Sequence, residues 1–266
     1  MRFLLLTTLP VLWAALWAAD PSGMNLRLRS RTEAFRASGQ WQEVHFDHAL
    51  HPKQTAIVIC DMWDKHWCRG ATDRVNQLAV KMNPVLEAAR KRGITIVHAP
   101  SDTMQSYTSH PARLAIKRFP QLAPPQPLDL ADPKLPIDDA RGGCDTGDKQ
   151  YKAWSRQHSG LRIDDRDFIS DNGPEIYNML RALGIRNIVI MGVHTNMCVL
   201  NRTFAIKQMT KWGIPCILVR DLTDAMYDPE DAPRVTHQAG TELVIQHIEK
   251  YWAPTVLSKD LLAALQ

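Results

Sequence analysis

Asp61 and Cys198 are the two side chains whose type and setting suit covalent catalysis. Asp61 follows the apolar run Thr55-Ala-Ile-Val-Ile-Cys60, and Cys198 comes shortly after a second one, Asn187-Ile-Val-Ile-Met-Gly-Val193, where a helical pattern begins. A thiol at a helix N-terminus is favoured as thiolate by the macrodipole and the unpaired N–H groups. The same N–H groups suit an oxyanion forming on a carbonyl under attack. A carboxylate on a neighbouring strand end would take the thiol proton and return it to a leaving amine. Taken singly, each residue also has an ordinary reading, Asp61 as a turn cap and Cys198 as a packed helix residue. A third stretch, Asp61-Met-Trp63-Asp64-Lys-His66-Trp67-Cys68, either lines a pocket with aromatic surface and one imidazole or packs its tryptophans under the N-terminal segment.

The elements that must position these groups follow from the patterning. Residues 55–62 and 94–98 read as short strands buried on both faces, and 75–92 carries apolar residues at helical spacing until Gly93 stops it. Residues 100–160 break this rhythm with many prolines and a Gly142-Gly143 pair, which predicts a long excursion over the rim of a sheet. Regular patterning resumes with a short strand at 161–163, a helix over 174–183 and a strand over 187–193. A helix over 198–212, a strand over 215–220 and a last helix over 233–251 complete the order. Strands alternating with helices predict an α/β fold with a parallel sheet covered on both faces, its ligand crevice beyond the carboxyl ends of the strands.

Composition bounds the rest. The 266 residues, 45% apolar and 23% charged, exclude a disordered tail, a fibre and a disulfide-dense miniprotein. A net charge of +4 without a long Lys/Arg run argues against nucleic acid as a partner. Residues 1–19 read as a secretory signal peptide, with Arg2, an apolar stretch from Phe3 to Trp17, and Ala18-Ala19 before Asp20. That predicts a periplasmic or secreted protein with no membrane attachment after processing, built from an arm at 20–54 and a domain at 55–266. Five cysteines in an oxidising space leave at least one thiol unpaired. Cys60 and Cys216 lie in strand-like runs and read as small buried hydrophobes, whereas Cys68 and Cys144 lie in loop sequence and could pair.

The segment Gly192-Val-His-Thr-Asn-Met-Cys198-Val199 closely resembles the nucleophile segment of the isochorismatase-like cysteine hydrolases, which include nicotinamidases and N-carbamoyl amidohydrolases. Ile-Val-Ile-Cys-Asp61-Met-Trp resembles their first-strand aspartate segment, and Asp221-Leu-Thr-Asp224-Ala with the His237-containing helix resembles their closing unit. The resemblance implies a three-layer α/β/α, Rossmann-like fold with a mostly parallel six-stranded sheet, a Cys-Asp-Lys triad and a homo-oligomer. It also implies a cis peptide at Val193–His194, with main-chain donors near His194 and Cys198, and Asn196 in the same turn, facing a small-molecule substrate alongside Trp63 and His66. Where the family has its lysine, this chain has Leu161-Arg-Ile-Asp-Asp-Arg166-Asp-Phe168 and no lysine at all. Arg166 is the candidate for that positive charge, with Lys65 and Lys117 as alternatives; an arginine stabilises charge but does not give up its proton.

The resemblance implies no cofactor. Nicotinamidases hold a metal near the second strand, but Met104 stands where the first ligand histidine belongs, and His98, Asp102 and His110 are too scattered to assign one. The acidic stretch Asp221 to Asp231 lacks the spacing of a calcium loop and reads as a helix start. The expected reaction is hydrolysis of a small amide or carbamoyl C–N bond. The alternatives are a relative that only binds its ligand and one that cleaves a vinyl ether.

Overall fold

The computed structural model of the chain describes residues 23–266, so the segment expected to be a signal peptide lies outside the described residues. At the centre is β3 (Thr55–Cys60), buried at every position, lying parallel between β4 (Thr95–Ala99) and β6 (Asn187–Val193). Its apolar run is what a strand covered on both faces requires. Ile57 and Ile59 point into a core built with α1 (Arg69–Lys91) and α7 (Ser258–Leu265). Ala56, Val58 and Cys60 point the opposite way, into a core shared with α3 (Gly173–Ala182), α5 (Ile206–Lys211) and α6 (His237–Tyr251). Helices therefore cover both faces, the expected three layers.

The sheet is larger than the expected six strands. Its eight strands run β2-β1-β8-β7-β6-β3-β4-β5, with β1 as Met24–Glu33, β2 as Trp41–Leu50, β5 as Phe168–Ile169, β7 as Cys216–Asp224 and β8 as Thr255–Val256. From β8 to β5 all six are parallel, and β1 and β2 add an antiparallel hairpin at the β8 edge. The expected arm thus lies on the body by joining the edge of the sheet. Met24, Leu26 and Leu28 alternate inward, each 1% exposed, against the core beneath α1 and α7.

Two further expectations need correction. The third parallel strand from the β6 side is not 161–163 but the two-residue β5, held to β4 through Val97 and His98. The predicted helix over 198–212 is broken: α4 (Cys198–Asn201) ends at Arg202, whose backbone turns extended at φ −61°, ψ 152°, before α5 begins. Gly173 enforces close approach to this break, since a side chain there would collide with the carbonyl of Thr203.

Residues 100–160 carry a 3-10 turn at Met104–Tyr107 and α2 (Pro111–Ile116) and otherwise run irregularly. Their return passes over the strand ends, where Gln157 bridges to Trp63. Among the described residues no helix is long and apolar enough to cross a membrane.

Candidate active site

The carboxyl ends of β3 and β6 deliver the two expected groups to one place. Asp61 leaves β3 in the left-handed region, at φ 47°, and is wholly buried. Its Oδ1 accepts the Ser101 N–H at 2.7 Å and its Oδ2 accepts Nε–H of Arg202 at 2.9 Å. The Cys198 thiol lies beside the same carboxylate, each group acting on the other's protonation. Beyond β6 the Val193–His194 peptide is cis, and the His194 carbonyl accepts the N–H groups of Met197 at 3.0 Å and Val199 at 3.1 Å. That turn places Cys198 at the floor of a pocket of about 190 Å³.

Electrostatics here differ from the thiolate expected at a helix start. Burial is the main influence on the Cys198 thiol and, together with the neighbouring Asp61 charge, pushes it well up, while Arg202 and a main-chain hydrogen bond from His194 act the other way. Burial likewise raises Asp61 above its ordinary value, opposed by Arg202, Ser101 and the thiol. A four-residue α4 has too little macrodipole to overcome this. The resting pair is a neutral thiol beside a carboxylate whose counter-ion is a guanidinium.

That guanidinium was not the expected one. Arg166 lies on the surface with a 74% exposed side chain, bonded to Asp164 at 3.3 Å, and is absent from the pocket wall. Lys65 rests over the ring of Tyr151 at 5.8 Å, and Lys117 lies near Glu175. Arg202 takes the place instead, spanning Asp61 and, through Nη2 at 3.0 Å, Asp102. Its spacing of four from Cys198 was the signal available in the sequence, because such pairs share a helix face.

Aromatic groups wall the pocket. Trp63 stacks on Trp154 with centroids 4.4 Å apart, and His66 stacks on Trp154 at 5.6 Å and meets His194 edge-on at 4.8 Å. Trp67, Gly142, Gln150, Met197 and Met226 complete the lining. Trp63 is fixed by its indole N–H donating to the Ser101 carbonyl at 2.9 Å. Burial, aided by Arg74, lowers His66 to about 4, and burial, aided by His66, lowers His194 to about 3, so both rings are neutral near pH 7. His194 Nε2 and Trp154 Nε1 are buried without a protein hydrogen-bond partner, an exception that calls for one.

Val193 and Asn196, expected beside substrate, do not line the pocket. Asn196 is 1% exposed and turned inward, donating to Asp139 at 2.8 Å and to the Met226 carbonyl at 3.0 Å while accepting the Met226 N–H. It braces the pocket wall. The scattered metal candidates have other partners: His98 bonds Gln157 and Asp167, Asp102 bonds Arg202, and His110 caps α2. In the acidic stretch, Asp224 holds Arg74 and His237, and Asp228 and Asp231 hold Arg141. A wider cleft of about 820 Å³ lies beside Asp224 and His237 and does not include Cys198 in its wall.

Residues 55–245 match the isochorismatase domain family model. The chain belongs to the isochorismatase family. No curated protein matches it. Among solved structures it is similar to a cysteine hydrolase from Pseudomonas syringae pv. phaseolicola 1448A, with 15% identity over 81% of this chain and 94% of that one, at a TM-score of 0.53. An isochorismatase family protein from Burkholderia thailandensis is 16% identical over 81% of this chain and 97% of that one, at a TM-score of 0.48. At such identities the likeness speaks for the fold: this chain has the α/β architecture of the isochorismatase-like hydrolases.

Proposed function

We propose that this family member hydrolyses a C–N bond, amide or carbamoyl, in a small molecule, with Cys198 as nucleophile. The observation that carries the reading is the contact of the Cys198 thiol with a buried carboxylate that also holds a guanidinium. Asp61 takes the thiol proton as sulfur attacks the carbonyl carbon, and main-chain N–H groups at His194 and Cys198 face the oxygen. Collapse expels the nitrogen, which leaves with the proton returned by Asp61. Water, deprotonated by Asp61, then attacks the thioester, and the proton goes back to sulfur. A raised aspartate is a better match for a thiol proton than an ordinary one, and Arg202 keeps it ionised without joining the transfer.

Pocket size limits the substrate. About 190 Å³ lies below the ~300–1,000 Å³ of sites for drug-sized ligands, which suits a small acyl or carbamoyl unit. Stacked indoles and two unpartnered ring nitrogens favour a flat group carrying hydrogen-bonding atoms. The same reading includes an extracytoplasmic location, on the strength of residues 1–19, and a homo-oligomer.

A panel of small primary amides, ureas and N-carbamoyl compounds, assayed by ammonia release, tests this. At least one should turn over, and Cys198→Ala should lower its kcat/KM by at least about a thousandfold with an unchanged melting temperature. Equal turnover by the variant removes the nucleophile. Tight binding of panel members without turnover by either protein would point to a ligand-binding relative.

A further inference from the structure

We propose that Cys68 and Cys144 form a redox-labile dithiol site at the rim of this pocket, closing to a disulfide by exchange with an external low-molecular-weight disulfide. Cys68 is the buried residue preceding the first turn of α1, and Cys144 reaches it from the 100–160 excursion, half-buried. Their sulfurs and a carboxylate oxygen of Asp145 lie within 4.8 Å of one another. The Cys68 thiol donates to Asp145 Oδ1 at 3.5 Å, and Thr146 Oγ1 stands 3.4 Å from both sulfurs. A disulfide holds its sulfurs about 2.05 Å apart, so closing one here calls for side-chain rotation from the present separation.

A metal fits this cluster less well. Asp145 is taken by Arg74 at 2.7 and 3.3 Å, which places a guanidinium against the cluster. Of the imidazoles beside it, His66 accepts the Cys68 N–H at 3.1 Å, and His237 is held by Asp224 at 2.9 Å and by the Tyr227 carbonyl at 2.8 Å. Two thiols and a neutralised carboxylate leave a structural zinc short of its fourth ligand.

The two sulfurs have different roles. Partial burial works against the Cys144 thiolate, yet hydrogen bonds from Cys68, Thr146 and the Asp148 N–H hold this thiol below its ordinary value. Burial pushes Cys68 up to about 11. Cys144, the more accessible and more acidic of the two, attacks one sulfur of the incoming disulfide; that S–S bond breaks and one thiolate leaves, taking up a proton. Cys68 then loses its proton and attacks the Cys144 sulfur, expelling the second thiol. Two protein thiols are oxidised and one external disulfide is reduced to two thiols. The bond would tie the excursion to the start of α1 beside Trp67 and Gly142, both of which line the pocket. It is independent of which bond the pocket hydrolyses.

Glutathione disulfide is the probe, followed by denaturation, alkylation and mass spectrometry of the purified full chain. The wild type should lose two of its five alkylatable thiols, retain no glutathione and yield a linked Cys68–Cys144 peptide pair. Cys68→Ser should keep one glutathione at Cys144, whereas Cys144→Ser should leave Cys68 unmodified in the folded protein. Five remaining thiols, a persistent adduct on the wild type, or one equivalent of zinc shielding both sulfurs would each overturn the proposal. If Cys144→Ser fails to fold, the wild-type thiol count and peptide map decide alone.

Discussion

Asp61 is a charge without water, and its ionised form is sustained by Arg202 and the Ser101 N–H. Stripping a buried ion pair of one member typically costs 3–5 kcal/mol, because the survivor stays desolvated. Arg202→Met should therefore destabilise the protein by about 2–4 kcal/mol, allowing for the partial exposure of the arginine, and cut kcat/KM by at least about a hundredfold. Arg202→Lys retains a cation and should keep most of the stability, with activity within about tenfold of wild type. Urea denaturation and ammonia release measure both. Asp61 and Cys198 were legible in the sequence because strand ends and helix starts collect reactive groups in α/β folds. Arg202 was legible only through its spacing of four from Cys198, and the break after α4 was not, because Arg202, Thr203, Phe204 and Ala205 include neither proline nor glycine.

At the scale of elements, the long signals were readable and the short ones were not. The run at 55–60 and the helical spacing along α1 each persist long enough to fix their type, whereas β5 has two residues and no period to detect. The hairpin β1–β2 did carry a signal, the alternation Met24, Leu26, Leu28 against Asn25, Arg27, Arg29, obscured by its three arginines. One strand position is fixed by shape. Gly192, at φ 120°, lies where β6 slips register against β7, and a Cβ there would collide with the Cys60 carbonyl. Gly192→Ala should cost about 3 kcal/mol or more and lower the melting temperature, since β3 and β6 would have to separate where Asp61 and Cys198 meet.

Across the whole molecule, one carboxylate ties the hairpin to the body. Glu249 on α6 is fully buried and accepts Arg29 at 2.6 Å, Arg31 at 3.1 Å and the Thr255 hydroxyl at 2.6 Å, linking β1, α6 and β8. Glu249→Ala should destabilise by about 2–4 kcal/mol, leaving two partly buried arginines with only the more exposed Glu43 in common. Proteolysis before global unfolding should then begin within 24–54, whereas in the wild type that segment should resist as long as the rest. A sequence reading could place arginines on an arm but not find their partner more than two hundred positions away, and the six strands implied by the resemblance left the hairpin out.

Arg202 grips Asp102 as well as Asp61, and Asp102 lies on the outer loop in a left-handed conformation that asparagine adopts equally readily. The interior base is thus tuned from outside: any event that discharges the loop carboxylate frees the guanidinium to lean harder on its inner partner. Asp61 would hold its proton less tightly, so Asp102→Asn should move the acid limb of kcat/KM toward lower pH, leaving the plateau in place.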